Sequence, residues 1–542
     1  MQGLMMDYPL TLTHILERAR KLYPKKEIAT KTTAGMHRYT YADMTARAGQ
    51  LANAFDRLGI SKDGRVATFA WNTYRHLEIY FAAPCSGRVL HTLNIRLPAD
   101  QVIYIANHAE DEVVFVDVSL LPLLEKLAPH FSTVKYYVVM ADGPMPETSL
   151  PNAVSYEELI AGESSDYRWP QLEENTAAAM CYTSGTTGNP KGTVYTHRGL
   201  FLHSMMVCMT EAAGLSERDV VMPVVPMFHA NAWGMPHAAT FVGAKQVFPG
   251  PFMDPKSLAQ LIQDERITSA SGVPTIWMGL LQLIEKEHYD LSSIRSMPVG
   301  GSAVPQSMIE RYEKDFSMPI MHAWGMTELA PVGTISHLKS YMLDWSEEER
   351  YKVRAKQGTA VPGIETRVVD VEGKELPWDG TSFGELQVRG PWVVSGYYRD
   401  ERSEDSFQDG WFRTGDVATI DEEGYVQIVD RTKDLVKSGG EWISTVELEN
   451  ILMGHPKVLE AAVIAVPHPR WQERPLACVV PKPDFKDSIT TAELLEFLSS
   501  KVAKWQLPDE VIFIDAVPRT SVGKFNKRVL REQYHDHHLP NA

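Results

Sequence analysis

Residues 182–192 read Tyr-Thr-Ser-Gly-Thr-Thr-Gly-Asn-Pro-Lys-Gly. The apolar run 177–182 predicts a strand that leads into this stretch and holds the loop after it rigid. Glycines allow positive φ and let backbone N–H groups approach a ligand closely, and successive N–H groups form an anion-binding concavity. Hydroxyl groups add neutral donors, and Lys191 adds a positive charge suited to phosphate. The stretch therefore predicts a strand and loop that bind a polyphosphate.

The loop differs from the common P-loop, because Gly188 is not followed directly by lysine and a hydroxyl residue. Five further segments follow in order. They read Trp-Gly-Met-Thr-Glu at 324–328, Trp-Phe-Arg-Thr-Gly-Asp at 411–416, Asp-Arg-Thr-Lys-Asp at 430–434, Lys-Ser-Gly-Gly-Glu-Trp at 437–442 and Pro-Arg-Thr-Ser-Val-Gly-Lys at 518–524. Together the six motifs resemble the adenylate-forming superfamily of acyl-CoA synthetases, peptide-synthetase adenylation domains and luciferases. The resemblance spans nearly the whole chain and is strongest to bacterial long-chain fatty acyl-CoA synthetases.

The composition narrows the class of partner. The chain has 542 residues, a formal net charge of −16 and four cysteines that form no CxxC pair. Its length exceeds that of one hydrophobic core, and its acidity argues against nucleic acid or an anionic membrane as the main partner. Scattered cysteines are typical of a reducing compartment, so we expect a cytoplasmic protein.

One apolar segment is long enough to be tested as a membrane span. Residues 220–244 contain no Asp, Glu, Lys or Arg. Pro223, Pro226 and Pro236 would interrupt a helix there more than once. We therefore predict a buried strand, loop and helix and no transmembrane segment, while peripheral membrane contact stays open.

Strand-like and helical patterns alternate along the chain. The runs 65–70, 113–116, 136–139, 220–225 and 366–369 have strand character, and residues 11–22 place their apolar side chains on one helical face. This alternation predicts an α/β fold with parallel sheets. Ser346 and Glu349 match the capping box that opens a helix.

A domain boundary is predicted near residue 430, where the strand-like run 424–430 is followed by the charged segment 431–434. The resemblance implies that residues 1–429 would form a large N-terminal AMP-binding and acyl-binding domain of parallel βα sheets with a small β-barrel-like part. Residues 430–435 would be a hinge, and residues 436–542 a small, mobile C-terminal α+β domain.

The resemblance also implies an activity that uses ATP, Mg²⁺ and CoA. A carboxylic acid attacks the α-phosphorus of ATP, pyrophosphate leaves, and the CoA thiol then attacks the acyl adenylate to give acyl-CoA and AMP. Positioning and electrostatic stabilisation carry most of such a reaction. The catalytic residues implied are His229, Thr327, Glu328 and Lys524.

The nucleotide site implied by the resemblance combines several motifs. Its residues are Thr183, Ser184, Gly185, Thr186, Thr187, Gly188, Lys191, Gly301, Ser302, Ala303, Ala323, Trp324, Gly325, Thr327, Asp416, Arg431, Lys433 and Lys524. Trp324 would lie against adenine and Asp416 would accept from the ribose hydroxyls. Glu328 and Thr183 would hold Mg²⁺, which prefers oxygen ligands.

The two half-reactions are expected to use different faces of the C-terminal domain. Lys524 would bridge the substrate carboxylate and the α-phosphate in the first step. Rotation at the hinge residue Asp434 would then bring in the CoA-binding residues. These are Lys437, Gly439, Gly440 and Trp442.

The acyl site is expected to contain His229, Ala230 and Trp233, the last as a gate to an acyl tunnel. Residues 220–253 contain no acidic side chain that could pair with a substrate ammonium group, which argues against an amino acid substrate. Simple packing remains an alternative role for Trp233. The function expected is an ATP-dependent fatty acid–CoA ligase acting on small molecules, as a homodimer by resemblance. The alternatives are a ligase for medium-chain or short substituted acids such as methylthiopropionate, a luciferase, and a non-catalytic acyl- or nucleotide-binding protein.

Overall fold

The computed structural model describes residues 1, 3–183, 189–431, 433–439, 441–520, 524–535, 537 and 539, and strands within these residues form five sheets. The largest sheet has seven strands. Their spatial order is Ala153–Ser155, Tyr136–Met140, Asp111–Asp117, Arg65–Phe69, Val89–Thr92, Ala177–Tyr182 and Gly192–Thr196. Neighbouring strands are parallel except the last pair, which is antiparallel. The sheet therefore needs helical crossover connections.

Two further sheets extend the parallel architecture. The strands of the first are Ser269–Ser271, Val220–Pro223, Lys245–Phe248, Glu27–Thr32 and Gly35–Thr40, in spatial order. The strands of the second are Met297–Gly300, Ile320–Gly325, Val332–Ile335 and Thr359–Ala360. Isolated parallel bridges, Ser269 with Ser296 and Gly272 with Val299, join the two sheets. The predicted α/β fold is confirmed. Four of the five predicted strand runs pair with parallel neighbours, although both of these smaller sheets also contain antiparallel pairs.

The fifth predicted run, at 366–369, lies in an antiparallel sheet instead. Its strands are Glu365–Val369, Gly384–Arg389, Trp411–Ile420, Phe407–Gln408 and Val426–Arg431, all paired antiparallel. A loop without a helix joins the first two strands, so no crossover to a parallel partner exists there. This sheet is the small β part of the N-terminal region.

Helices cover the N-terminal sheets. They are Leu12–Leu22, Tyr41–Arg57, Tyr74–Cys85, Ala99–Ala109, Leu121–Leu127, Tyr156–Ala161, His197–Cys208, Met235–Val242, Pro255–Glu265, Pro274–Ile284, Gln306–Phe316, Glu347–Ala355 and Ser403–Ser406. The helix Leu12–Leu22 buries Leu12, Ile15, Leu16 and Ala19, as its pattern predicts. The Ser346 hydroxyl accepts from the Glu349 N–H, and the Glu349 carboxylate accepts from the Ser346 N–H, which confirms the capping box.

The C-terminal part has its own sheet and core. Its strands are Glu441–Ile443, Val436–Ser438, Gln472–Pro481, Val458–His468 and Glu510–Phe513, and its helices are Thr445–Met453, Thr491–Ser499 and Lys527–Gln533. The last N-terminal strand ends at Arg431 and the next strand begins at Val436. The exact domain limits at 429, 430–435 and 436 stay predictions.

The apolar segment 220–244 folds as a strand, a turn and a helix. The strand is Val220–Pro223 and the helix is Met235–Val242. Over the part of the chain that the structure describes, no helix is both long and apolar enough to cross a membrane.

Candidate active site

A cleft of about 700 Å³ opens where several strands end. Tyr182, Gly300 and Gly325 are the last residues of three strands, and Thr183, Gly301 and Thr327 lie just beyond them and line the cleft. Ligands bind outside the carboxyl ends of parallel strands, because the chain leaves the sheet there and its loops converge. The motif residues meet for this topological reason.

The cleft brings most of the sequence-predicted site together. Its lining includes Thr183, Lys191, His229, Gly301, Ser302, Ala303, Ala323, Trp324, Gly325, Thr327, Glu328, Asp416, Arg431, Lys433, Asp434 and Lys524. A smaller adjoining cavity is lined by Ala230 and Trp233, together with His229 and Lys524. Ser184, Gly185, Thr186, Thr187, Gly188 and Gly440 lie outside the described residues.

Glu328 is held by a tyrosine that the sequence motifs did not identify. The Tyr397 hydroxyl donates to Glu328 Oε1 at 2.8 Å, and the Lys191 ammonium lies 4.3 Å from the centre of the Tyr397 ring. Tyr397 therefore positions both a carboxylate and a cation that line the cleft. Its sequence signal is weak, since it is one of two adjacent tyrosines after Gly396.

The donor set at this end of the cleft fits Mg²⁺. Glu328 offers a carboxylate and Thr183 a hydroxyl, and both residues line the cleft. Mg²⁺ takes few protein carboxylates and completes its shell with water and phosphate oxygens. The described residues contain no cluster of three His, Cys, Asp or Glu side chains that could form an all-protein cage.

Asp416 is the centre of a second polar group. It lies directly opposite Arg431 in an antiparallel strand pair, and Arg431 Nε lies 2.9 Å from its Oδ1. The Trp324 indole N–H donates to its Oδ2 at 2.8 Å. The Asp416 carboxylate raises the pKa of Arg431, so this guanidinium stays charged. The sequence pointed to all three residues but not to their contacts.

Lys524 reaches the cleft from the C-terminal part of the chain. Burial, and next the charge of Arg431, lower the pKa of Lys524 to about 8. A Cβ built on Gly301 would lie 3.5 Å from Lys524 Cε and 3.9 Å from Trp233 Cζ2. Both are ordinary contact distances, but Gly301 has φ +88°, so the backbone of a residue with a side chain would be strained there. Burial, and next Lys524, lower the pKa of His229 to about 3, and its imidazole is therefore neutral.

A left-handed turn carries the predicted acyl-site residues. Ala230, Asn231, Ala232 and Trp233 have φ of 43°, 53°, 50° and 56°. Left-handed non-glycine residues cost about 1–2 kcal/mol each, so tertiary contacts must stabilise the turn. One of them is the Cys181 thiol, which donates to Asn231 Oδ1 at 2.7 Å. The sequence predicted a loop here but not its handedness.

The predicted hinge residue is anchored on both sides. The Asp434 N–H donates to the Arg431 carbonyl at 2.8 Å, and its carboxylate forms an ion pair with Arg531 of the helix Lys527–Gln533. In the same helix, the Lys527 ammonium lies 2.7 Å from the Glu449 carboxylate. No sequence motif marked Arg531 or Lys527, because both resemble ordinary surface cations of a charged helix.

Three of the four predicted CoA-binding residues belong to the described part of the chain, and these three lie away from the cleft. Among the described residues, Lys437, Gly439 and Trp442 line neither cavity, and Trp442 is exposed. The Lys437 ammonium lies 5.4 Å from the centre of the Trp442 ring. Gly439 has φ +61°, and a Cβ on it would lie 2.8 Å from the Trp471 ring. The Trp471 ring therefore leaves no room for a side chain at position 439.

Comparison with known proteins shows which family the chain matches. A family model described as "AMP-binding enzyme" matches residues 16–398, and one described as "AMP-binding enzyme C-terminal domain" matches residues 447–524. The long-chain-fatty-acid–CoA ligase of Thermus thermophilus is 49% identical over 98% of this chain and 97% of its own length. The 3-methylmercaptopropionyl-CoA ligase of Ruegeria lacuscaerulensis is 45% identical over 99% of both chains.

A solved structure supports the same likeness. ATP-bound MatB from Rhodopseudomonas palustris superposes with a TM-score of 0.82 at 29% identity, over 97% of this chain and 99% of its own. The agreement extends through both the large and the small part of the fold.

Proposed function

We propose that this chain, which belongs to the AMP-binding enzyme family, is an AMP-forming fatty acid–CoA ligase. The observation that carries the proposal is the position of Lys524. A lysine from the C-terminal part lines the same cleft as Thr183, Glu328 and Asp416, which follow or lie within N-terminal strands. A nucleotide-binding protein without catalysis has no need for a buried cation brought in from a second domain.

In the first step, the cations of the cleft would offset the charge that builds on the phosphoryl group and the leaving pyrophosphate. These cations are Lys191, Arg402, Arg431, Lys433 and Lys524, which all line the cleft. Lys524 would lie between the substrate carboxylate and the α-phosphate. Mg²⁺ bound by Glu328 and Thr183 would supply further charge to the phosphates. Trp324 and Asp416 would hold the adenosine, with Arg431 forming an ion pair with Asp416.

The second step requires a different arrangement of the C-terminal part. The structure has Lys524 in the cleft and Lys437 and Trp442 outside it, an arrangement suited to adenylation only. Rotation at Asp434 would withdraw Lys524 and bring the segment 437–442 to the acyl adenylate. The Arg531–Asp434 ion pair would have to adapt to this motion.

The proposed substrate is a fatty acid. The smaller cavity is lined by Trp233, Pro331 and Val332 and contains no acidic side chain, which suits an apolar tail and not an ammonium group. The relatives include a long-chain-fatty-acid ligase and a ligase for a short thioether acid. Because of the second relative, short substituted acids remain the alternative substrate class.

The test is acid-dependent ATP–pyrophosphate exchange, followed by acyl-CoA formation, over straight-chain acids of increasing length, methylthiopropionate and luciferin. Exchange and thioester formation that favour straight-chain acids support the proposal. A preference for methylthiopropionate would show that the substrates are short substituted acids and not fatty acids. Light emission with luciferin would show that the enzyme is a luciferase. Binding of nucleotide without exchange for any acid would leave only a binding protein.

Trp233→Ala is expected to change the handling of acyl chains and to leave the KM for ATP unchanged. The indole lines the smaller cavity but not the nucleotide cleft. Each buried methylene contributes about 0.8 kcal/mol, so chain-length preference, measured as kcat/KM for each acid, is a sensitive readout. Weaker discrimination between long and short acids is the expected result. An unchanged profile with a lowered Tm would assign Trp233 to packing alone.

The rate of the first step is expected to fall on the alkaline side. Lys524 has a pKa lowered to about 8, and only its protonated form can bridge two anions. As pH rises through this value the cation is lost, so kcat/KM for pyrophosphate exchange should fall about tenfold per pH unit above it. The arginine of the variant Lys524→Arg keeps its charge at this pH. Any activity that the variant retains should therefore not fall in this alkaline range. The same alkaline limb in Lys524→Arg would assign the titration to another group.

We also propose a homodimer in a reducing, cytoplasmic compartment. The family resemblance supports the homodimer. Four free cysteines, three of them buried, support the reducing compartment. Light scattering of the purified protein gives the oligomeric state, and a fluorescent fusion gives the compartment.

A further inference from the structure

His203 lies behind the wall of the smaller cavity. It belongs to the helix His197–Cys208 and is 0% exposed. Its Nε2 accepts a hydrogen bond from the Val332 N–H at 3.4 Å. A Cβ built on Gly234 would lie 2.6 Å from His203 Nδ1. Because Val332 and Trp233 line the cavity, the ring of His203 contacts the backbone behind both.

The side chain of Trp392 also contacts the backbone of Val332. The Trp392 indole N–H donates to the Val332 carbonyl at 3.1 Å, so His203 and Trp392 bind the two backbone groups of one cavity residue. Their rings also meet edge to face, with centroids 5.8 Å apart. Such paired contacts hold Val332 in one position. On this side of the cavity, the wall residue Val332 is therefore backed by the rings of His203 and Trp392.

The chemical state of His203 fits this role. Burial, and next His237, lower the pKa of His203 to about 3, so the ring is neutral. Since Nε2 accepts from Val332, the ring proton is on Nδ1. Nδ1 has no hydrogen-bond partner among the described residues, and it faces the turn that carries Trp233. A buried polar group without a partner costs about 1–3 kcal/mol, which a purely apolar packing residue would avoid.

We propose that His203 is a specificity-determining residue that supports one wall of the acyl pocket from behind and thereby limits the length of acyl chain accepted. The inference rests on the proposed function, because it concerns the acyl side of that site. His203 acts through Val332 and the turn at 230–234, and does not touch the reacting atoms. The nucleotide cleft, which His203 does not line, should be unaffected.

The test compares the chain-length profile of pyrophosphate exchange for wild type and His203→Ala. Removing the ring is expected to make room for about two more methylenes of the acyl chain. Each buried methylene raises kcat/KM about fourfold. The kcat/KM for long acids, divided by that for short acids, should therefore rise about 15-fold. His203→Gln places an amide oxygen near the position of Nε2 and should restore most of the wild-type profile. The KM for ATP should stay constant in both variants. If His203→Ala does not fold, His203→Asn, which also shortens the side chain, carries the same comparison.

His197→Ala is the matched control. His197 is an equally buried histidine in the same helix, with a pKa lowered to about 4 by burial. Its Nδ1 accepts from the Leu12 N–H at 3.2 Å, away from the cavity. This variant should lower Tm and leave the profile unchanged.

The outcomes separate the two levels of the proposal. Wild-type exchange with fatty acids and an unchanged profile in His203→Ala would overturn the role of His203 and leave the function standing. An equal change in His197→Ala would also overturn it, since the effect would then follow from stability. If wild type prefers another class of acid, the proposed function fails, and the same comparison over homologues of that acid decides the role of His203.

Discussion

Lys524→Ala is expected to lower acid-dependent ATP–pyrophosphate exchange roughly 10²–10³-fold, the usual loss for one stabilising contact at a site of developing charge. Lys524 lines the cleft beside Glu328 and Asp416, where its positive charge would separate two anions. The thioester step does not require this charge if the C-terminal part rotates. Acyl-CoA formation from a supplied acyl adenylate should therefore remain largely intact.

The two assays must be run on the same preparation of the variant. Lys527→Ala serves as a control for lysines of the C-terminal part, because Lys527 pairs with Glu449 and has no proposed role in the chemistry. Near-normal exchange by Lys524→Ala would remove Lys524 from the first step. Loss of both half-reactions in Lys524→Ala alone would argue against separate conformations for the two steps.

Asp434→Pro is expected to have the opposite effect, with exchange retained and thioester formation reduced on the order of tenfold or more, as when a domain motion becomes limiting. Proline fixes φ at about −65° and removes the backbone N–H. In this structure the Asp434 N–H donates to the Arg431 carbonyl. The substitution therefore stiffens the hinge and deletes one local hydrogen bond.

Asp434→Ala separates these effects from the loss of the carboxylate. It removes the ion pair with Arg531 but keeps the N–H and the freedom of the backbone. Both half-reactions should persist in this variant. If Asp434→Ala and Asp434→Pro reduce thioester formation equally, the loss follows from the missing ion pair and not from a blocked rotation. An equal loss of both steps in Asp434→Pro, with a lowered Tm, would indicate misfolding.

Local features of the fold could be predicted from the sequence. The capping box at Ser346 and Glu349 and the buried face of the helix Leu12–Leu22 depend on residues three or four positions apart. Chain connectivity alone brings such residues together. The run 366–369 was also recognised as a strand, but its pairing was not, because the partner of a strand depends on the connection that follows it.

Residue chemistry and motif order also determined the main parts of the site. Glycine, hydroxyl and lysine side chains in the loop 182–192 indicated an anion site. The order of the motifs indicated many of the residues that line one cleft, although the described residues of the motif 437–442 lie outside it. The assignment of these residues needed no geometry, because it followed from the resemblance of the ordered motifs to those of a family.

Only the tertiary structure decided how these residues act on one another. Asp416 lies beside Arg431 because two strands pair in one register, and Trp324 donates to Asp416 from a strand of a different sheet. Tyr397 contacts Glu328 across 69 positions of the chain. The positive φ angles of residues 230–233 oppose their local preference and depend on surrounding contacts. Likewise, the pKa of Lys524 follows from burial in a cleft formed mostly by the other domain. Sequence limits what each residue can do, but burial and long-range contacts set its charge, its orientation and its partner.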